Sequence, residues 1–131
     1  MDIQERMLEL RLQGLCCSQV ILQMGLEDLG KENEDLIRAS RALCNGLETG
    51  KLCGTLSAAS CLLFLADEEN AGAMNDQLVD WFEDAFGSSE CLTLLDNRPL
   101  NKVELCPKIV EATYEKVCEL LEDSGVPFGN E

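Results

Sequence analysis

The sequence predicts an all-α, single-domain bundle of about five or six helices over residues 1–131. Apolar residues recur at helical spacing along nearly the whole chain, and no segment alternates long enough to be a strand. Asn, Gly and Pro fall where such helices would begin and end.

Ile3, Met7 and Leu10, with Leu8, Leu12 and Leu15, give a first helix, broken near Gly14. Val20, Ile21 and Met24, with Leu22 and Leu26, give a second that ends by Gly30. Asn33 is an N-cap for a third, with Glu34 and Asp35 where the helix dipole favours negative charge. Behind it Leu36, Ile37, Ser40, Leu43, Cys44 and Leu47 form one stripe, stopped by Gly46. A fourth helix starts around Leu52 or Cys53 and runs to about Asp67. Asn75 caps a fifth, with Leu78, Trp81, Phe82, Ala85 and Phe86 on one face and Gly87 at its end. Cys106-Pro107 opens the last helix, because proline suits the first helical position. There Ile109, Val110, Thr113, Tyr114, Val117 and Leu121 point inward, and Gly125 and Pro127 close it. The connection from Gly87 to Leu105 is long and carries Cys91 in a short turn, SSECLTLL; long connections in compact domains are often functional.

A chain of 131 residues with 46% hydrophobic content can bury a real core without disulfides. Its longest apolar run, Cys61 to Ala66, is far too short to cross a bilayer. MDIQERMLEL carries charges where a signal peptide needs its apolar region, so a cytoplasmic protein is expected. The net charge of −15 would repel nucleic-acid phosphate and anionic membranes, so neither is an expected partner. A solvated acidic surface is the expected meaning of the charge; a basic partner protein is the sharper reading, with no local sequence feature to carry it.

The chain has no histidine, which removes Ser-His-Asp and Cys-His catalysis and His-ligated zinc or haem. It has eight cysteines. In a reducing compartment, clustered cysteines signal metal or redox chemistry more often than structural disulfides. There is no C-x-x-C, so any site must be assembled from distant segments.

Cys17, Cys53, Cys91 and Cys106 each fall at a predicted helix start, where free N–H groups and the helix dipole stabilise a thiolate. These four are the candidate redox thiols and metal ligands. Cys44 and Cys118 lie beside apolar stripes and Cys61 is mid-helix, so packing is the expectation for those three; Cys16 is left without a role. On KLCGTLSAASC, Ser57 and Ser60 each lie within about 40° of Cys53 on a helix. That small, weakly polar stripe suits either close helix packing or room for a bulky inorganic group. Gly54, directly after Cys53, keeps the sulfur's surroundings open, so Gly54 and Ser57 are candidate cofactor-binding positions.

At these residues the chain resembles the family of small redox-active proteins named for a C-GCAxxG-C-C pattern. Cys53-Gly54-Thr55-Leu56-Ser57-Ala58 matches its C-G-A-x-x-G segment, with Thr55 for the motif alanine and Ala58 for the second glycine. Cys17 in CCSQVIL, Cys91 after FEDAFGSSEC and Cys106 before Pro107 match its other three cysteines, over roughly residues 7 to 121. The resemblance implies a redox role. A similar module precedes the haem-binding part of split-Soret cytochromes, for which an iron–sulfur cluster is suggested.

Four thiolates would suit a [2Fe–2S] cluster or another thiolate-bound metal, and equally two dithiol pairs, with an unidentified redox partner protein. Surrounding negative charge would bias such a centre toward low potential. The alternative is a noncatalytic helical interaction or scaffold module whose cysteines are packing. On the redox reading, the four sulfurs should meet in one pocket at converging helix ends.

Overall fold

A computed structural model of the chain describes residues 2–128. Seven α-helices follow in order among the described residues: α1 (Ile3–Leu12), α2 (Cys17–Leu29), α3 (Glu34–Ser40), α4 (Gly54–Ala66), α5 (Ala71–Phe86), α6 (Cys91–Leu94) and α7 (Lys102–Asp123). Short 3-10 turns, Arg41–Leu43 and Pro99–Asn101, follow α3 and precede α7. The described residues contain no strand, and one isolated antiparallel bridge joins Leu52 to Glu90. The all-α expectation holds, and the short α6 accounts for the helix beyond the expected number.

α2 and α4 form the centre. Val20, Ile21, Leu22, Met24 and Leu26 of α2 are buried, as are Leu56, Ala58, Ala59, Leu62 and Leu63 of α4. A helix apolar around most of its circumference must be surrounded, and α4 touches α2, α5 and α7. Its small residues serve that contact. Ala58 and Ala59 are wholly buried, and Ser60 Oγ donates to Asn75 Oδ1 of α5 at 2.5 Å. Of the Cys53, Ser57 and Ser60 stripe, Ser60 thus serves the contact between α4 and α5.

α5 and α7 are amphipathic and lay Met74, Leu78 and Phe82, and Ile109, Val110, Tyr114, Val117 and Leu121, onto the core. Every residue of α7 predicted to point inward does so. Outside the core, Arg6 of α1 pairs with Glu9 at 2.7 Å and with Glu27 of α2, fixing α1 across the bundle.

Four local expectations are corrected. Asn75 lies inside α5, which begins at Ala71 behind Asn70. Cys106 and Pro107 lie one turn inside α7, which begins at Lys102. The proline removes only the bond that would run to the carbonyl of Val103, an exposed residue at the helix start. The third helix does not carry its stripe through Leu47, because the backbone turns left-handed at Asn45, Gly46, Leu47 and Glu48 and leaves Leu47 exposed. Cys61 is exposed on α4 rather than packed in the core.

A candidate four-cysteine site

The first turn of α2 brings in Cys17, the first residue of that helix, behind Cys16 as N-cap. Cys53 is the N-cap of α4 and is buried. Cys91 is the first residue of α6, behind Glu90 as N-cap; Ser88 Oγ accepts the Glu90 N–H at 3.0 Å. Cys106 comes from the second turn of α7.

Backbone pairing explains how segments so far apart in sequence meet. The Cys53 N–H donates to the Ser89 carbonyl at 2.8 Å, and the Cys91 N–H donates to the Lys51 carbonyl at 2.5 Å. This two-way exchange around Leu52 and Glu90 sets Cys53 and Cys91 side by side. Gly46 closes the same corner from the left-handed turn, with φ +61°, where a β-carbon would stand 2.9 Å from Cβ of Cys91. Only glycine fits that approach without displacement.

All four predicted cysteines line one small cavity of about 20 Å³, together with Gly54, Thr55, Asn45, Lys102 and the apolar Leu94, Leu95 and Ile109. Ser57 is not part of it. Its hydroxyl turns back onto its own helix, donating to the carbonyls of Cys53 and Gly54 at 3.2 Å. Gly54 does line the cavity, for a reason opposite to an open setting. A β-carbon there would stand 3.2 Å from Cys17 Sγ and run into the Leu43 carbonyl.

Cys53, Cys91 and Cys106 are held toward the protonated form. Burial pushes the Cys53 thiol up, partly countered by the Leu56 backbone N–H and by Thr55. Burial likewise raises Cys91, against the pull of the Lys102 ammonium. Cys106 is pushed up to about 12, first by burial and then by the neighbouring Cys17, Cys53 and Cys91. The expected thiolate-stabilising helix starts are outweighed, because desolvation of a buried charge exceeds what a helix terminus returns.

A family model described as "Putative redox-active protein (C_GCAxxG_C_C)" matches residues 15–120. The chain belongs to that family. No curated protein and no solved structure matches the chain.

Within this C_GCAxxG_C_C member the motif departures acquire physical roles. Thr55 is buried at the cavity wall, and its hydroxyl faces the Cys53 sulfur. Ala58 is wholly buried between helices. Lys102 and Asn45 escaped the sequence reading. Lys102 falls in the long connection from Gly87 to Leu105, and nothing in CNGLETG announces a left-handed turn that brings Asn45 inward.

Among the described residues, no three cysteines or carboxylates stand around a point that could hold a metal ion. The cavity has room for one water-sized group. As placed, the four sulfurs do not fit a [2Fe–2S] cluster. No helix of the described residues is long and apolar enough to cross a membrane.

A second, larger cavity of about 680 Å³ lies between α1, α2 and α7 and is lined by Arg6, Glu27, Asp28, Tyr114 and Cys118. The Tyr114 hydroxyl donates to Asp28, and burial together with that carboxylate raises its pKa. Cys118 is half-buried at this acidic wall, so it is not simply a core residue.

Proposed function

We propose that the protein is a thiol-based redox protein whose reactive centre is the four-cysteine pocket. The observation that carries this reading is convergence: Cys17, Cys53, Cys91 and Cys106 come from four helical elements and line one cavity. Unrelated packing cysteines would have no reason to meet. In the dithiol form, two neighbouring thiols give up two electrons and two protons to an oxidised partner protein and become a disulfide. The partner's reduced form, or another donor, reverses the step.

Burial sets the chemistry. Thiols held protonated react slowly until a partner's docking or a local charge favours the thiolate, and Lys102 is the cation at hand. The apolar Leu94, Leu95 and Ile109 keep water from the sulfurs.

Four thiols from separate elements also have the number and softness of an iron–sulfur or zinc ligand set, which makes a metal-bound form the second reading. It requires the sulfurs to rearrange, since among the described residues no three of them stand around a point that could hold a metal ion. Anaerobic purification followed by iron and zinc analysis, a visible spectrum and a native thiol titration tests both. Reversible loss of thiols in pairs without metal supports the dithiol form; stoichiometric iron or zinc supports the metal form. Cys53→Ser should abolish whichever behaviour is found at little cost in stability, since serine also caps helices. If neither metal nor thiol cycling is found, the scaffold reading stands.

A further inference from the structure

Cys16 and Cys44 are joined as a disulfide, with Cα atoms 6.2 Å apart. That separation is ordinary for such a link. Neither residue lines the four-cysteine cavity. The expectation of simple packing for Cys44 is thereby corrected, and Cys16 gains a partner.

The surroundings suit both states of this pair. Ser18 is wholly buried, and its Oγ lies 3.0 Å from Cys44 Sγ and 3.4 Å from Cys16 Sγ while donating to the Ser40 carbonyl at 2.7 Å. Because a hydroxyl oxygen has two lone pairs, a reduced Cys44 thiol can donate to Ser18 without disturbing that bond. Opening the disulfide therefore leaves no buried polar group stranded. The segment also has other ties. Gln19 accepts the Cys16 N–H at 3.1 Å and donates to the Ile37 carbonyl at 3.1 Å, linking the start of α2 to α3. A chain with this much core does not depend on one staple to fold.

We propose that Cys16 and Cys44 form a second, two-electron thiol–disulfide centre that takes electrons from a dithiol reductant. Cys44 is 2% exposed and Cys16 is half-buried, so the reductant's thiolate attacks Cys16 Sγ. The Cys16–Cys44 bond breaks, a mixed disulfide forms between Cys16 and the reductant, and the Cys44 sulfur leaves and takes a proton. The reductant's second thiol then attacks its own sulfur in the mixed disulfide, closing the reductant's disulfide and releasing Cys16, which takes the second proton. Two electrons and two protons have passed from the reductant to the pair. The centre stands whether or not the neighbouring pocket cycles.

The test is peptide mapping of the full chain after alkylation and tryptic digestion. Oxidised protein should give a linked pair of peptides, residues 12–31 and 42–51, that disappears on native treatment with dithiothreitol and returns on oxidation by oxidised glutathione. Because residues 12–31 contain both Cys16 and Cys17, two variants assign the bond. The link should survive in Cys17→Ser, which disables the pocket, and vanish in Cys16→Ser, where serine keeps the N-cap. A link that persists in Cys16→Ser overturns the assignment. A link that dithiothreitol opens only after denaturation makes the pair a structural staple and overturns the proposal. Two cysteines that stay free under oxidised glutathione overturn it as well.

Discussion

The sulfur of Cys17 occupies space that a side chain at Gly54 would need: a β-carbon there would stand 3.2 Å from Cys17 Sγ and 3.1 Å from the carbonyl carbon of Leu43. The first residue of α2 and the first residue of α4 are thus packed through one missing methyl group. Gly54→Ala must push apart backbone and sulfur, neither of which is the free end of a flexible chain. The expected cost is about 1 to 3 kcal/mol, as for other overpacked sites, read as a lower denaturant midpoint. Alkylation of Cys17 should also change in rate. An unaltered midpoint would show that the two helix starts are not in contact.

Lys102 is the cation beside the pocket, and it favours the thiolates of Cys91 and Cys106 against burial. Lys102→Gln removes that help, so both thiol pKa values should rise further. Native alkylation of Cys91 and Cys106 near pH 8.5 should slow severalfold. Lys102→Arg should restore most of the rate, since it returns the charge. Equal rates in wild type and Lys102→Gln would place the ammonium too far away to matter.

Most of the bundle was legible because helix periodicity survives wherever a helix has one buried face, as in α5 and α7. The four pocket cysteines were legible through their predicted helix-start positions and the family resemblance, and the structure brings all four to one cavity. The errors share a cause. Cys106-Pro107 looks like a helix start because local preference favours proline there, yet Lys102 to Leu105 continue the helix ahead of it. The left-handed turn from Asn45 to Glu48 has three non-glycine residues at positive φ, at a cost of roughly 1 kcal/mol or more each that only tertiary packing can offset. Cys44 reads as an apolar stripe residue until the chain brings Cys16 to it. Pairing between distant segments leaves no mark in local spacing.

Thr113 is wholly buried on α7, and its Oγ1 has no hydrogen-bond partner among the described residues. An unpaired buried hydroxyl costs about 1 to 3 kcal/mol. Thr113→Val keeps the branched shape and removes that penalty, so it should raise the denaturant midpoint. Thr113→Ala removes the penalty but also a methyl group from a packed core, and should gain less or lose. A lower midpoint for Thr113→Val would mean that the hydroxyl is bonded.

Alkaline stability should report the raised thiols. Cys106 and Cys118 move from an ordinary 9.0 to about 12, chiefly by burial, with Asp28 the next cause at Cys118. The unfolded chain ionises these thiols from about pH 9 upward, whereas the folded chain holds their protons until about pH 12. Between those values the unfolded state binds fewer protons, so raising the pH favours unfolding. The contribution is fully present below pH 9 and is lost as pH climbs toward 12. Reduced wild-type protein should therefore lose midpoint steadily over that window. Lysine and tyrosine titration adds a background, which Cys118→Ser isolates. Serine does not ionise there, so the variant's midpoint should fall less steeply than that of wild type. Parallel slopes for the two would show that the Cys118 thiol titrates alike in the folded and unfolded chains.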